Sequence, residues 1–276
     1  MIRLGLIGYP LGHSLSPKIH TAALKACGLH GDYSLFPIHP DDKPGLKKLL
    51  DQVRVDEIAG LNVTIPHKQN VIGFMDELTP TAQVIGAVNT VYSRDNKLIG
   101  DNTDAAGFLT DLNRFVATQQ SAARNRKSSM VLGAGGSACA VVYALLNDGW
   151  QVTIAARRIE QAQELAAQFK NASAVELNFQ TFQPSNLQLI VNTTPVGMTP
   201  LTDESPLPEN TSLSSDTIIY DLVYNPRETK LVKDAHMHGL SATTGLGMLI
   251  EQAALAFEIW TGHNPPRDVL YTSVVE

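Results

Sequence analysis

The chain has 276 residues, of which 43% are hydrophobic and 17% are charged, and its formal net charge is −6. This length suffices for one large domain or two modest ones, and the composition is typical of a globular protein rather than a disordered one. The acidic balance argues against nucleic-acid binding, since phosphate contacts require a basic face. No stretch approaches the roughly 20 apolar residues that span a bilayer, so we expect no membrane partner.

Two cysteines, Cys27 and Cys139, lie far apart and lack the paired spacing of a disulfide framework or a metal site. We interpret them as reduced thiols of a cytoplasmic protein that holds no metal. The N-terminus carries one arginine and then an alternating strand pattern, without the apolar block and cleavage site of a signal peptide.

The first hundred residues show alternating strand and helix patterns. Residues 2–7 are typical of a buried strand, and a turn-rich loop follows them. Ser16 and Pro17 resemble an N-cap and a proline in the first helical position, so we expect a helix that starts there and ends at Gly28. This half of the chain therefore predicts α/β units with a core of their own.

The segment 61–68, LNVTIPHK, combines a strand pattern with polar side chains. Its apolar residues alternate with Asn62 and Thr64, the period of a strand with two different faces. Pro66 cannot donate to a sheet, so we expect the strand to end there and Lys68 to lie in a loop. The alternative is an edge strand that ends in a solvated lysine.

A second polar cluster, GDNTD at 100–104, precedes a long helical pattern over Asp104–Phe115. Thr103 can cap this helix, whose apolar positions recur at helical spacing. The cluster brings a carboxylate, Asp104, that Lys68 could pair with.

The segment 117–129 is polar and lacks an apolar period, which favours an exposed connection between two domains. Beyond it, short apolar strands alternate with helices, beginning with strands at Met130–Leu132 and Val152–Ala155. Such alternation predicts a parallel sheet with helices on both faces. We therefore predict an α/β fold with two domains.

A glycine-rich turn, GAGGSA, connects the first of these strands to a helix. Its glycines permit a tight turn and a close approach of the backbone, so that a pyrophosphate can bind at the helix N-terminus. The hexamer alone is a weak signal, but it lies in the strand–turn–helix context that a dinucleotide-binding fingerprint requires. We predict cofactor contacts at Gly133, Ala134, Gly135, Gly136, Ser137 and Ala138.

Two arginines, Arg157 and Arg158, follow the second strand of this unit, where an NAD-binding site would carry an acid for the ribose hydroxyls. A guanidinium binds a phosphate well, whereas an acid would repel it. The alternative is a pair of solvated arginines, which the helix dipole does not favour at a helix start. The pattern predicts NADP.

The segment NTTPVGM, 192–198, ends a buried strand where a parallel sheet presents its ligand-facing edge. Thr193, Thr194 and Met198 are candidates for contacts with the nicotinamide and ribose, although an ordinary Pro-Gly turn has a similar composition. With a nicotinamide cofactor predicted, we expect Lys68 and Asp104 to be the proton-handling pair of a dehydrogenase.

Taken together, these motifs resemble the shikimate dehydrogenase family. The matching segments follow the family's order and span nearly the whole chain. They are SLSP at 14–17, NVTIPHK at 62–68, GAVNT at 86–90, GDNTD at 100–104, GAGGSA at 133–138, NTTPVGM at 192–198, DLVYNP at 221–226 and GLGMLIEQA at 245–253.

The resemblance implies an N-terminal α/β substrate domain, residues 1–104 with 249–276, and a Rossmann-type, doubly wound NADP-binding domain, residues 105–248, with a cleft between them. It also implies that Lys68 is catalytic and acts with Asp104. The implied substrate pocket is lined by Ser14, Ser16, Asn62, Thr64, Asn89, Tyr224 and Gln252. Further cofactor contacts are implied at Pro195, Leu222, Gly245 and Met248.

The implied activity is the NADP-dependent, reversible reduction of 3-dehydroshikimate to shikimate in aromatic amino-acid biosynthesis. Lys68 could donate the proton or polarise the ring carbonyl as a cation, and the sequence leaves both roles open. The alternatives are a quinate/shikimate dehydrogenase of broader specificity and a non-catalytic NADP or shikimate sensor, which would not need the proton-handling pair. The oligomeric state, monomer or homodimer, is also open.

Overall fold

A computed structural model describes residues 1–119, 127–178, 187–208 and 211–275. Their strands are β1 Ile2–Gly8, β2 Gly31–Pro37, β3 Gly60–Val63, β4 Glu77–Leu78, β5 Thr90–Arg94, β6 Lys97–Asp101, β7 Ser128–Leu132, β8 Gln151–Ala156, β9 Ala172–Glu176, β10 Leu189–Asn192, β11 Ile218–Asp221 and β12 Ser241–Thr244. Their helices are α1 Ser16–Ala26, α2 Lys43–Arg54, α3 His67–Asn70, α4 Pro80–Ile85, α5 Asp104–Thr118, α6 Gly136–Asn147, α7 Ile159–Ala167, α8 Lys230–Met237, α9 Leu246–Thr261 and α10 Arg267–Val275, with a 3₁₀ helix at Val71–Phe74.

The chain forms two compact units. The first contains Met1–Gly107 and Ile250–Glu276, and the second contains Phe108–Leu249. The boundaries fall inside α5 and α9. The predicted cleft between two domains stays a prediction.

The first unit is built on a six-stranded mixed sheet with the order β2-β1-β3-β5-β6-β4. Strands β1, β2 and β3 are parallel, whereas β5 runs antiparallel to both β3 and β6. Asp95 and Asn96 join β5 to β6 with φ values of 53° and 60°, the left-handed conformation that a tight hairpin turn requires. Aliphatic side chains from its helices and strands form a hydrophobic core, among them Leu50 of α2, Leu61 of β3 and Val91 of β5.

Strand β3 lies in the interior of this sheet and is buried on both faces. The alternation of apolar and polar residues predicted two different faces, and the contacts differ accordingly: Leu61 and Val63 lie in the apolar core, whereas Asn62, which is also buried, bonds to polar groups. The alternative of an edge strand is wrong. A buried amide in an interior strand requires hydrogen-bond partners, which makes Asn62 a functional candidate in its own right.

The second unit contains a six-stranded, all-parallel sheet with the order β12-β11-β10-β7-β8-β9. The strand order reverses at β7, from which the chain winds outward in both directions, the arrangement of a Rossmann-like fold. Strands β10 and β11 are completely buried, as is typical of a parallel sheet covered by helices. The predicted α/β fold, with an N-terminal substrate domain and a Rossmann-type domain, is confirmed.

Three local predictions need correction. Helix α1 begins at Ser16 with Leu15 in the N-cap position, so Ser16 is not the cap. Lys68 lies in the short helix α3 rather than in a loop. The side-chain oxygen of Asn102, not Thr103, accepts hydrogen bonds from the first backbone N–H groups of α5.

Part of the predicted connection 117–129 lies outside the described residues, and its first two residues belong to α5. Among the described helices, none is both long and apolar enough to cross a bilayer. Within the same residues, no group of three His, Cys, Asp or Glu side chains is placed to bind a metal ion.

Candidate active site

Lys68 and Asp104 form an ion pair in the first unit, with 2.7 Å between Nζ and Oδ2. The exposed fractions of their side chains are 13% and 7%, so the pair is largely shielded from water but can still be reached. An ion pair in such surroundings is screened less than one on the surface. The two residues predicted to handle the proton are therefore brought together.

Each partner of this pair is held by the element that carries it. The backbone carbonyl of Lys68 accepts a hydrogen bond from Val88 N–H, which ties α3 to the segment before β5. Asp104 is the first residue of α5, where its negative charge interacts favourably with the positive end of the helix dipole. Asn102 joins the two segments, since its carboxamide also donates to the carbonyl of Ala87.

Asn89 lies at the centre of the hydrogen bonds around Asp104. Its Nδ2 group donates to Asp104 Oδ1 at 2.8 Å and approaches Gln252 Oε1 at 3.4 Å. Its Oδ1 atom accepts from the Thr103 N–H at 2.8 Å and from the Thr90 hydroxyl at 2.8 Å. The amide orientation is therefore determined by its partners, and one carboxylate oxygen of Asp104 is held by Asn89 while the other binds Lys68.

A second cluster of polar side chains surrounds the phenol of Tyr33 on β2. The phenol donates to Asn62 Oδ1 at 2.8 Å, and the Asn62 amide reaches the backbone carbonyl of Asn89 at 3.4 Å. Burial raises the pKa of Tyr33 well above its usual value, and a hydrogen bond with the Ser16 side chain opposes this shift. Ser14 Oγ accepts a hydrogen bond from the Ser16 N–H, so both predicted serines lie beside this cluster.

The imidazole of His20 stacks on the Tyr33 ring, with 4.3 Å between the ring centroids. The side chain is completely buried, and neither ring nitrogen has a hydrogen-bond partner among the described residues. Burial lowers the pKa of His20 to about 3, and the nearby Asn62 carboxamide opposes this shift only in part. His20 is therefore neutral at physiological pH.

The two further predicted substrate residues are Thr64 and Tyr224. Thr64 is half-buried just after β3. Tyr224 belongs to the second unit, where burial raises the pKa of its hydroxyl, so that it stays a neutral hydrogen-bond donor. Within the first unit, Asn89 contacts both Asp104 and Gln252, and Asp104 contacts Lys68.

The glycine-rich turn of the second unit has the backbone that close approach of a ligand requires. Gly133 has a φ of 107°, and a Cβ atom there would lie 2.7 Å from Thr193 Oγ1. Gly135 precedes the first residue of α6, and a Cβ atom on it would meet nothing within 4 Å. The turn therefore opens the N-terminus of a 12-residue helix to an incoming anion, and the residues present fit a dinucleotide.

Arg157 and Arg158 follow β8, and both side chains are exposed. Arg158 occupies the N-cap position of α7 without a side-chain cap. The two guanidinium groups are available to a phosphate, as the prediction of NADP requires.

The other predicted cofactor residues follow the ends of β10, β11 and β12. The Thr193 hydroxyl donates to the Leu132 carbonyl, and the Thr194 hydroxyl donates to Asn192 Oδ1. Pro195 and Met198 are exposed, whereas Met248 is buried. A Cβ atom at Gly245 would collide with the backbone of Leu222, so only glycine fits where these two segments meet.

Several residues in these networks had not been predicted as site residues, among them Tyr33 and Thr103. Nothing in the local sequence pattern distinguishes Tyr33 from a packing tyrosine. Thr103, predicted as a helix cap, instead donates to the Gln252 backbone carbonyl, which holds α9 against the Asp104 cluster. The position of Thr103 beside Asp104 in the GDNTD segment was the sequence feature that could have identified it as a site residue.

Three family models match the chain. Residues 6–91 match the shikimate dehydrogenase substrate-binding domain, residues 116–230 match shikimate/quinate 5-dehydrogenase, and residues 245–274 match the shikimate 5'-dehydrogenase C-terminal domain.

Similar proteins agree with these matches. The NADP(+)-dependent shikimate dehydrogenase of Carboxydothermus hydrogenoformans is 39% identical over 274 residues, covering 98% of this chain and 95% of that protein. The Thermus thermophilus shikimate 5-dehydrogenase, solved with NADP(H) and shikimate, is 36% identical with a TM-score of 0.87, covering 99% of this chain and 98% of that one. A Corynebacterium glutamicum quinate dehydrogenase solved with NAD is 31% identical with a TM-score of 0.88, covering 99% and 98%. The chain therefore belongs to the shikimate dehydrogenase family.

Proposed function

We propose that this chain catalyses the NADP-dependent, reversible reduction of 3-dehydroshikimate to shikimate, with Lys68 and Asp104 handling the proton. The observation that carries the proposal is the shielded Lys68–Asp104 pair, whose carboxylate is held by the Asn89 amide, in a member of this family. A sensor that only binds these ligands has no support from the comparisons, since the relatives reported above are named dehydrogenases.

The residues around the pair are suited to a substrate that carries several oxygens. The amides of Asn62, Asn89 and Gln252 can bind ring hydroxyls, while Ser14 and Ser16 can donate to the carboxylate. Tyr224 supplies a further neutral donor from the second unit. We propose all of these as substrate contacts, together with Thr64.

The proton step follows from the charges of the pair. The hydride for the ring ketone comes from NADPH when that cofactor is bound. Negative charge then develops on the ketone oxygen, and Lys68 Nζ can stabilise it as a cation or donate a proton to it. Asp104 holds the ammonium group 2.7 Å away, and Asn89 fixes the Asp104 carboxylate in turn. The lysine is thereby oriented before the substrate binds.

The second unit is proposed to bind NADP. We assign the pyrophosphate to the glycine-rich turn before α6 and the 2'-phosphate to Arg157 and Arg158. Support comes from the open N-terminus of α6 and from the exposure of both guanidinium groups. We assign the nicotinamide half to the segments after β10, β11 and β12, through Thr193, Thr194, Pro195, Met198, Leu222, Gly245 and Met248.

A single spectrophotometric assay tests the proposed function. The purified chain is incubated with shikimate and NADP⁺, and reduced cofactor is followed by its absorbance. We expect rapid reduction, with a higher kcat/KM for shikimate than for quinate and for NADP⁺ than for NAD⁺. No turnover with either acid would contradict the proposal. Comparable values for quinate would favour the second candidate, a broader quinate/shikimate dehydrogenase, which the similarity to a solved quinate dehydrogenase makes worth testing.

Cofactor choice depends on the two arginines. Replacing both, in the variant Arg157→Ala/Arg158→Ala, is expected to lower kcat/KM for NADP⁺ by at least about 10-fold, because the loss of even one hydrogen bond from a charged group to the phosphate costs roughly 1.5–3 kcal/mol. The value for NAD⁺ should change little, since NAD⁺ lacks that phosphate. Steady-state kinetics with both cofactors measure the ratio of kcat/KM for NADP⁺ to kcat/KM for NAD⁺.

Lys170→Ala is the matched control, since it removes an exposed cation just beyond the other end of α7. It should leave the NADP⁺/NAD⁺ ratio unchanged. If the double arginine variant also keeps the original ratio, these arginines do not select the cofactor.

We also propose a cytoplasmic location and leave the assembly as a monomer or a homodimer. The location is supported by the sequence, whose two cysteines, Cys27 and Cys139, lack the paired spacing of a disulfide framework. Light scattering of the purified protein measures the assembly, and fractionation of its native cells tests the location.

A further inference from the structure

Two buried polar side chains end neighbouring strands of the second unit. Asn192 is the last residue of β10 and Asp221 the last of β11, and they are directly paired in the parallel register. Both are completely inaccessible to solvent. Asn192 Nδ2 donates a hydrogen bond to Asp221 Oδ1 at 2.8 Å, so the two strand ends are joined by their side chains as well as by the sheet.

Each of these side chains also holds the segment that follows its own strand. Asn192 Oδ1 accepts hydrogen bonds from the Thr194 N–H at 3.0 Å and from the Thr194 hydroxyl at 2.7 Å. Asp221 Oδ1 accepts from the Val223 N–H at 3.0 Å. The two segments that we assign to the nicotinamide half of the cofactor are thus tied to one buried pair.

A third residue, Thr229, satisfies the second oxygen of the Asp221 carboxylate. The Thr229 hydroxyl donates to Asp221 Oδ2 at 2.6 Å, and the same oxygen atom of Thr229 accepts from Val232 N–H at the start of α8. Asp221 therefore has donors on both oxygens, which is what a buried carboxylate requires. An apolar pair could fill this space without such partners, but it could not hold the Thr194 and Val223 N–H groups.

We propose that Asn192 and Asp221 are positioning residues for the cofactor, which set the conformation of residues 193–198 and 222–226 before NADP binds. The inference rests on the proposed function, because it takes these segments as the nicotinamide site. A group that holds its binding loops in advance lowers the ordering cost of binding. Loss of the pair should therefore weaken NADP⁺ binding more than shikimate binding, because among the proposed shikimate contacts only Tyr224 lies in these segments.

Isosteric exchanges test the pair. Asn192→Asp places two carboxylates in contact and removes the donor to Asp221, whereas Asp221→Asn keeps an oxygen that can accept from Asn192 but removes the charge and the second acceptor oxygen. We expect Asn192→Asp to raise the dissociation constant of NADP⁺ by at least about 10-fold, as the loss of a hydrogen bond to a charged group predicts, and Asp221→Asn to raise it by a smaller factor. The dissociation constant of shikimate should rise by a smaller factor than that of NADP⁺, since the other proposed shikimate contacts lie outside these segments. Isothermal titration calorimetry with each ligand separately measures both values without turnover.

The double exchange Asn192→Asp/Asp221→Asn separates positioning from plain stability. It restores a donor–acceptor contact between the two side chains, although not the hydrogen bond from Val223. We expect it to bind NADP⁺ more tightly than Asn192→Asp, whose two carboxylates have no donor between them, and this is the coupling that a double-mutant cycle detects. A merely structural pair would change the free energy of unfolding and leave NADP⁺ binding by the folded protein intact. Equal binding by all folded variants, or additive losses in the double variant, would overturn the inference.

Two further variants complete the experiment. Asn147→Asp makes the same chemical change at an exposed position of the second unit and should bind NADP⁺ as the wild type does. Thr229→Val removes the hydroxyl that donates to Asp221, and this variant tests the inference if the isosteric variants do not fold. We expect it to weaken NADP⁺ binding several-fold, and unchanged binding would overturn the inference. If the wild type itself does not bind NADP⁺, the proposed function fails instead.

Discussion

Replacing Lys68 with methionine is expected to lower kcat by about 100- to 10,000-fold, the range that loss of a general acid or base produces. Methionine keeps much of the length of the side chain but removes the ammonium group that lies 2.7 Å from Asp104. The KM for shikimate should change only a few-fold, because the amides and hydroxyls that we assign to the ring oxygens remain. Steady-state kinetics with saturating NADP⁺ separate the two effects.

Stability must be followed alongside activity, since the substitution leaves the Asp104 carboxylate without its cation. Asn89 still binds one of its oxygens, so we expect the fold to survive with a measurable loss in urea titration. Lys47→Met is the matched control, because Lys47 also pairs with a carboxylate, Asp51, but on the exposed surface of α2. Turnover by Lys68→Met at the wild-type rate would remove Lys68 from the chemistry.

The sequence allowed the Lys68–Asp104 pair to be predicted because both residues follow strands whose limits are marked by local signals. Pro66 and the polar GDNTD segment show where those strands end, and the family resemblance supplies the rest. The glycine-rich turn was predictable for a similar reason. Its conformation depends on the glycines themselves, and Gly133 has the positive φ that the motif requires.

The burial of Asn62 was not predictable from its own segment. It results from the strand order, which places β3 between β1 and β5 and brings Tyr33 from β2 within hydrogen-bonding distance. No short-range pattern contains that information, because Tyr33 and Asn62 are 29 residues apart. For the same reason, the pairing of Asn192 with Asp221 became visible only once β10 and β11 were placed side by side.

Some elements were missed because their sequences favour no regular structure. Strand β9, ASAVE, lies at the edge of its sheet and is partly exposed, so it lacks a buried apolar run. Helix α10 is rich in β-branched residues, which have low helix propensity. It is stabilised by tertiary packing, since Leu270 and Val274 are buried one turn apart and the helix contacts α1.

Acidification is expected to destabilise the protein through His20. Burial lowers the pKa of this imidazole to about 3 in the folded chain, against about 6.5 in the unfolded chain. The unfolded state therefore binds the proton first as the pH falls. The stability that neutral His20 contributes is fully present above pH 6.5 and is lost progressively towards pH 3.

Between pH 7 and pH 4.5 this linkage amounts to about 2.5 kcal/mol, since each pKa unit corresponds to about 1.4 kcal/mol. We expect His20→Gln to lose less of its free energy of unfolding than the wild type over that interval, by roughly this amount, even if the variant is less stable at pH 7. Urea unfolding at both pH values measures the difference. His30→Gln, which removes an exposed imidazole from the same unit, is the control and should follow the wild type. Parallel losses in His20→Gln and the wild type would show that His20 accepts its proton without unfolding. The aromatic rings that contact His20, including Tyr33 and Trp260, would then surround a protonated imidazole although burial disfavours its charge.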